Sequence, residues 1–149
     1  MCWFKMTKYF LDTCFIFHAL EHEHNLIDFC SINEVSITSF NILEIEHNLK
    51  KINPFIKKRW KDFEKNAKFE IFEIDVVPGN PEREKEYVTA FDEKLLKLIS
   101  DPSDAVLLVS ALQNKANIIT RDKHHLFTTK LENYLDKYKV RVVKELPKC

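Results

Sequence analysis

Three aspartates stand where a parallel α/β protein would place the side chains of a site. Asp12 follows the apolar run Tyr9-Phe10-Leu11, Asp122 follows the run 118–120, and Asp104 opens an apolar helical segment. Carboxylate oxygens are the ligands that Mg²⁺ and Mn²⁺ prefer, and carboxylates crowded on one rim repel one another unless a cation lies between them. The types and spacing of these residues therefore predict a divalent-metal site.

The stretch 101–127 gives a reason for two of these acids to meet. Asp101-Pro102 is a typical helix start, and residues 105–116 are apolar on almost all sides, so this helix is predicted to be buried. Three helical turns are roughly 18 Å long, and the strand predicted at 117–120 is roughly 13 Å long. If the strand folds back along the helix, its C-terminal end brings Asp122 beside Asp104.

A fourth carboxylate is expected from the helix after the strand predicted at 35–38, where Glu44 and Glu46 are the two choices. Helical periodicity does not decide between them, because both lie next to apolar positions on the wheel. The aspartates also have simpler interpretations. Asp12 and Asp122 could each be the N-cap of the next helix, and Asp104 could be a first-turn acid stabilised by the helix dipole.

Strand and helix patterns alternate along the chain. Strands are predicted at 9–11, 35–38, 69–77, 117–120 and 140–143, and helices at 13–20, 26–32, 39–51, 55–68, 82–100 and 126–138. Short apolar strands between helices predict a three-layer α/β/α fold with a central, mostly parallel sheet of four to five strands. The 149 residues predict a single domain, 1–149.

Composition excludes several classes of function. The 23 basic and 23 acidic residues balance, so no overall charge attracts the chain to nucleic acid or to a membrane. The single glycine excludes glycine-rich phosphate loops. Charged residues interrupt the apolar N-terminal stretch, which is typical of neither a signal peptide nor a membrane span. The four cysteines lack metal-ligand spacing, and reduced thiols in a cytoplasmic protein are expected.

A local basic patch is the candidate surface for a polyanion. Residues 50–68 hold eight basic side chains against two acidic ones. The cluster Lys57, Lys58 and Arg59, with aromatic residues interleaved, could bind a phosphate backbone, and Arg121 is a further candidate. The alternative is a solvated helix face with Trp60 in the core. The histidines 22, 24, 124 and 125 lack fixed helical spacing, so exposed side chains are predicted rather than a transition-metal site.

Three segments of the sequence, YFLDT, TSFNILEIE and DAVLLVSALQNKANIITRD, resemble the PIN-domain ribonucleases, particularly the small VapC-type nucleases of toxin–antitoxin pairs. The resemblance extends in order over essentially the whole chain. It implies that Asp12, Glu44, Asp104 and Asp122 are catalytic metal ligands. It also favours Glu44 over Glu46, because an apolar residue usually follows the glutamate in this family.

The activity implied by the resemblance is hydrolysis of RNA phosphodiester bonds with Mg²⁺ or Mn²⁺. Thr13 and Thr120 are expected to hydrogen-bond the ligating carboxylates. The family further implies a homodimer and a protein antitoxin as partner, while the interrupted N-terminal stretch predicts no membrane association. The alternatives are a PIN-fold module that binds RNA or protein without catalysis, and a PIN nuclease that acts in RNA processing.

Overall fold

The computed structural model describes residues 7–22, 25–121 and 128–146. Strands and helices alternate through these ranges. The strands are β1 (Lys8–Leu11), β2 (Glu34–Thr38), β3 (Glu70–Phe72), β4 (Asn117–Ile119) and β5 (Val142–Val143). The helices are α1 (Thr13–Glu21), α2 (Leu26–Ile32), α3 (Ser39–Leu49), α4 (Pro54–Asn66), α5 (Pro81–Phe91), α6 (Leu95–Leu98), α7 (Pro102–Gln113) and α8 (Thr129–Asp136).

The five strands form one parallel sheet in the order β3-β2-β1-β4-β5. The predicted α/β fold with a parallel central sheet is therefore confirmed. The strand order reverses between β1 and β4, so the carboxyl ends of these two strands flank the switch point. Open α/β sheets bind their ligands at this position. Asp12 follows β1 directly, and Thr120 follows β4.

Each face of the sheet is covered by its own apolar core. Successive strand residues point to opposite faces, so Phe10 packs into the core formed with α5, α7 and α8, whereas Tyr9 and Leu11 pack into the core formed with α1, α2 and α4. Helix α3 contributes Phe40 to the first core and Ile45 to the second. This division fixes α3, and with it Glu44, against the carboxyl end of the sheet.

Helix α7 forms as its sequence predicts. The side chain of Asp101 accepts a hydrogen bond from the Ser103 N–H at 3.0 Å, and residues 105–112 are all buried. The turn that follows is tight, and Lys115 adopts a left-handed backbone with φ 51°. The chain then enters β4, which pairs with β1 in parallel. Because α7 runs back along the strand that follows it, its N-terminal turn with Asp104 lies toward the carboxyl edge of the sheet.

Two predicted elements differ most in extent from the structure. The helix predicted at 82–100 is broken into α5 and α6, because Asp92 is extended and its carboxylate accepts hydrogen bonds from the Lys94 N–H and the Tyr134 hydroxyl. The strand predicted at 69–77 pairs only over β3. Beyond β3, the Ile74 N–H donates to the Ser39 hydroxyl at 2.9 Å rather than to a strand.

The helices of the described ranges are all too short or too polar to span a bilayer.

Candidate active site

Asp12 is held at the carboxyl end of β1 by the first residues of α1 and by the end of β4. Its backbone N–H donates to the Ile119 carbonyl at 3.0 Å, and its Oδ1 accepts from the Thr13 N–H at 2.8 Å, as an N-cap does. Its Oδ2 accepts from the Thr120 hydroxyl at 2.6 Å and from the Cys14 thiol at 3.3 Å. The N-cap interpretation of Asp12 is therefore correct, and the second carboxylate oxygen faces β4.

Glu44 reaches the same cluster from α3. Its Oε1 accepts from the Thr13 hydroxyl and from the Asn41 amide, both at 3.1 Å. Glu46, the alternative left open by periodicity, is exposed on another face, where its charge acts on Glu64 instead. Of the two glutamates, Glu44 is the one in contact with the residues around Asp12.

Asn41 links the two acids and was missed by sequence reasoning. Its Nδ2 lies 2.9 Å from the Thr13 hydroxyl and 3.4 Å from Asp12 Oδ1, in addition to its contact with Glu44. Thr38, the N-cap of α3, accepts from the Asn41 N–H and donates to the amide oxygen, which turns the amide nitrogen toward the acids. The sequence Thr-x-x-Asn at the start of a helix is typical of a cap in which the first and fourth residues bond to each other. It could have indicated the contact between Thr38 and Asn41.

Buried polar side chains are concentrated at this edge of the sheet. Among the described residues six polar or charged residues are buried, namely Thr13, Thr38, Asn41, Glu84, Ser110 and Thr120. Five of them belong to the cluster or act on it electrostatically; the exception, Ser110, bonds within α7 and to Tyr87. A buried polar residue is more informative than an exposed one, because it must be hydrogen-bonded or have another use.

The pKa of Glu44 is raised to about 7, chiefly by burial and to a lesser extent by the charges of Asp12 and Glu84, against the opposing effect of the hydrogen bonds from Thr13 and Asn41. Within the described residues, the groups that donate hydrogen bonds to Glu44, the Thr13 hydroxyl and the Asn41 amide, are neutral. A bound cation at this edge would favour the charged carboxylate. The electrostatics of Glu44 and the hard oxygen donors around it suit a divalent cation.

The remaining two predicted acids are Asp104 and Asp122. Asp104 is half-buried in the first turn of α7, and Asp122 lies outside the described residues. Within residues 7–22, 25–121 and 128–146, no three His, Cys, Asp or Glu side chains are close enough to coordinate one metal ion. The convergence of four carboxylates on one cation therefore stays a prediction.

The predicted RNA-binding residues differ in how they are held. Lys57 and Lys58 are exposed on α4, whereas Trp60 is buried in the core. The Arg59 guanidinium donates to the carbonyls of Leu20, at 2.7 Å, and Glu21 at the C-terminus of α1. Arg121 forms an ion pair with Glu145, in which Nη1 lies 3.8 Å from Oε1.

Comparison with known proteins shows the family to which this chain belongs. The family model described as PIN domain matches residues 9–129, which is most of the chain. The chain belongs to the PIN domain family. No curated protein matches it in sequence.

Solved structures share the fold of this PIN domain at low sequence identity. One is VapBC2 from Rickettsia felis, bound to a DNA fragment from its promoter, with 16% identity and a TM-score of 0.61 over 93% of this chain and 98% of the other. Another is PAE2754 from Pyrobaculum aerophilum, with 14% identity and a TM-score of 0.52 over 89% of this chain and 96% of the other. The chain is therefore a PIN-domain protein with a VapC-like fold.

Proposed function

We propose that this PIN domain is a Mg²⁺- or Mn²⁺-dependent endoribonuclease whose ligands are Asp12, Glu44, Asp104 and Asp122. PIN domains are generally nucleases, and membership of the family supports hydrolysis of a nucleic acid. The observation that carries the proposal is the partly buried hydrogen-bond network that orients Asp12 and Glu44 at the switch point of the sheet.

The residues fit a hard divalent cation. Both Asp12 and Glu44 offer carboxylate oxygens, and their hydrogen bonds leave further lone pairs on each group. The chemistry that such a cation supplies is polarisation of the phosphodiester and a lowered pKa of a bound water. Thr13, Thr120 and Asn41 hold the carboxylates in place: Thr120 donates to Asp12, and Thr13 and Asn41 each donate to both acids.

The chain's own part in the reaction is orientation and charge. Thr120 fixes one oxygen of Asp12 from β4, and Thr13 and Asn41 fix one oxygen of Glu44 from α1 and α3. Carboxylates fixed before a ligand arrives do not have to reorganise during the reaction, which favours catalysis. An ionised carboxylate at this edge can also orient an attacking water toward the phosphorus.

Substitution of the acids tests this function. Asp12→Asn and Asp104→Asn should each reduce Mg²⁺-dependent cleavage of an end-labelled single-stranded RNA by at least about a hundredfold, because each removes a ligand charge. Both variants should fold, as measured by circular dichroism. Asp75→Asn, the same change at an exposed aspartate, is the matched control and should cleave normally.

The outcomes separate the candidate functions. Normal cleavage by either site variant would contradict the assignment. Mn²⁺ binding without cleavage of any RNA would favour the non-catalytic module. Equal cleavage of RNA and of DNA with the same sequence would contradict the choice of RNA as substrate.

We further propose a protein antitoxin as partner, a homodimeric state and a cytoplasmic location. The support for the partner is the similarity to a chain of VapBC2. An antitoxin that binds this chain should suppress its RNA cleavage in a stoichiometric titration. Light scattering on the purified chain measures its oligomeric state, and a monomer would contradict the homodimer.

A further inference from the structure

A cleft of about 650 Å³ opens beside Glu44. One wall is the C-terminal part of α3, and the other is the segment 77–79 between β3 and α5. Glu44 itself lines the cleft, so the cleft is continuous with the acidic edge of the sheet, where Asp12 and Glu44 lie. Its volume is within the range of about 300–1,000 Å³ that is typical of small-molecule sites. A substrate bound at the acidic edge therefore has room for a neighbouring group in this cleft.

The two walls of the cleft are fixed relative to each other. At the start of α3, the Ser39 hydroxyl accepts a hydrogen bond from the Ile74 N–H at 2.9 Å. Val76 is buried in the core, whereas the next side chain, Val77, is exposed. The turn that follows contains Gly79, whose φ of 97° is one that glycine adopts readily. Because the segment is tied to α3 before the cleft and turns sharply after it, the cleft does not need a ligand to form.

Apolar surface is exposed on both walls. Among the described residues six large apolar side chains are exposed, and two of them, Leu43 on α3 and Val77 on the other wall, line this cleft. Single apolar side chains scattered over a surface need no explanation. Two that share one cleft beside a candidate active site indicate a ligand with an apolar part. The flat faces of nucleic-acid bases pack against apolar side chains in this way.

Basic side chains lie on the same stripe of α3. Leu43, His47 and Lys50 follow one another at spacings of four and three residues, which places them on one face of the helix. Lys50 is roughly 9 Å along the helix from Glu44, a distance that one nucleotide of an extended strand can span. Glu46 also borders the cleft, and its carboxylate can accept a hydrogen bond from the exocyclic amine of a base. The helix dipole favours the basic residues here but does not explain the apolar side chains beside them.

We propose that this cleft binds the nucleotide of a single-stranded RNA that is next to the scissile phosphate. The base packs between Leu43 and Val77, and Lys50 contacts the phosphate on the far side of that nucleotide. His47 lies between these contacts and can donate a hydrogen bond to the ribose or to the base. The inference rests on the proposed function, because it places the scissile phosphate at the acidic edge. The cleft contributes affinity and the position of the strand, and it takes no part in the chemistry.

Removal of single bases from the substrate tests the contact with the base. In Mn²⁺, the native chain should cleave an RNA that lacks the base beside the cleavage position with a KM raised by about tenfold and a kcat that is unchanged. Leu43→Ser should raise the KM of the intact RNA by a similar factor. The two changes should not add, because the contact is already lost: in the Leu43→Ser chain, removal of the base should change KM by less than about twofold.

Ile32→Ser is the matched control for this change. Ile32 is also an exposed apolar side chain, but it lies on α2, outside the cleft. Ile32→Ser should cleave the intact RNA with the native KM and should show the full effect of base removal. Val77→Ser repeats the experiment from the other wall. Both cleft side chains are exposed, so both variants should fold, as measured by circular dichroism.

Binding of RNA to the inactive Asp12→Asn chain tests the contact with the phosphate without cleavage. Lys50→Gln should decrease the magnitude of the slope of log affinity against log salt by about 0.7, the value for one phosphate of a single strand. Fluorescence anisotropy of a labelled RNA measures this slope. Lys51→Gln is the matched control, because Lys51 is the neighbouring exposed lysine but does not line the cleft, and it should leave the slope unchanged.

The results distinguish the two proposals. If the native chain cleaves no RNA, the proposed function fails and the role of the cleft fails with it. If the native chain cleaves RNA and base removal has the same effect in the native, Leu43→Ser and Val77→Ser chains, only the role of the cleft is overturned. If these variants instead convert a dimer into a monomer in light scattering and leave the effect of base removal unchanged, the cleft belongs to an interface between copies of the chain and the proposal is wrong.

Discussion

The acidic edge of the sheet and the basic face of α4 carry opposite charges and are built in opposite ways. At the acidic edge, Asp12 and Glu44 accept hydrogen bonds from buried donors on α1, α3 and the end of β4. On α4, Lys57 and Lys58 extend into solvent. Metal-dependent chemistry requires fixed distances, whereas attraction of a polyanion requires only charge near a surface. We therefore expect the acidic edge to be sensitive to small changes in geometry and the basic face of α4 to be tolerant of them.

Among these tests, we expect the largest effect from removal of the Asn41 amide, which donates to both Asp12 and Glu44 at the acidic edge. Asn41→Leu keeps the side-chain volume but leaves one oxygen of Glu44 with the Thr13 hydroxyl alone. RNA cleavage should fall by about 10–100-fold, and unfolding by urea should show a loss of about 1–3 kcal/mol.

Asn48→Leu is the matched control for this change. Asn48 is half-buried on the same helix, and its side chain has no hydrogen bond with a described residue. Cleavage by Asn48→Leu should stay normal. Unchanged cleavage by Asn41→Leu would show that the network is structural and does not position the acids.

A substitution at Glu44 tests the acidic edge through the pH dependence of stability. Burial is the main cause that raises the pKa of Glu44 to about 7 in the folded chain, against the ordinary value of 4.5 in the unfolded chain. Between these values the folded state binds more protons, so stability without cation should fall as pH rises and then level off above pH 7. Glu44→Gln should remove this pH dependence and raise the free energy of unfolding at pH 8 by about 1–2 kcal/mol. This figure is reduced because Glu44 is partly exposed to solvent.

Urea unfolding at several pH values in EDTA measures this effect. Glu46→Gln is the control, because that side chain is exposed on the same helix, and its stability should follow the pH dependence of the native chain. A slope that persists in Glu44→Gln would assign the pH dependence to another group.

The position of Asp12 and the hydrogen bonds from Thr13 and Thr120 could be predicted from the sequence, whereas the contacts of Asn41 could not. Asp12 was predictable because it follows a strand, and the carboxyl ends of parallel strands meet at one edge. The contacts of the Asn41 amide were not, because a cap motif does not show that the amide nitrogen reaches Asp12, Thr13 and Glu44 on other elements or turns. The break at Asp92 follows from its bond to Tyr134, 42 positions away. Arg59 reaches the carbonyl of Leu20 across 39 positions.

Lys57 and Lys58 provide the test with the smallest expected effect. Because neither is held in one geometry, the double change Lys57→Glu and Lys58→Glu should weaken RNA binding several-fold at moderate salt. For a single strand, the slope of log affinity against log salt should decrease in magnitude by about 0.7 for each phosphate that a lysine no longer neutralises, and so by up to about 1.4. Cleavage at saturating RNA should remain normal, since the acidic edge is untouched.

Filter binding over a series of salt concentrations measures that slope, with the catalytically inactive Asp12→Asn chain as background. The double change Lys85→Glu and Lys97→Glu is the matched control, because these lysines are exposed on α5 and α6 and the net charge changes equally. If both pairs alter the slope alike, the effect is one of overall charge. A change confined to the α4 pair would assign the RNA path to that helix, and it would show that this surface acts through charge without fixed geometry.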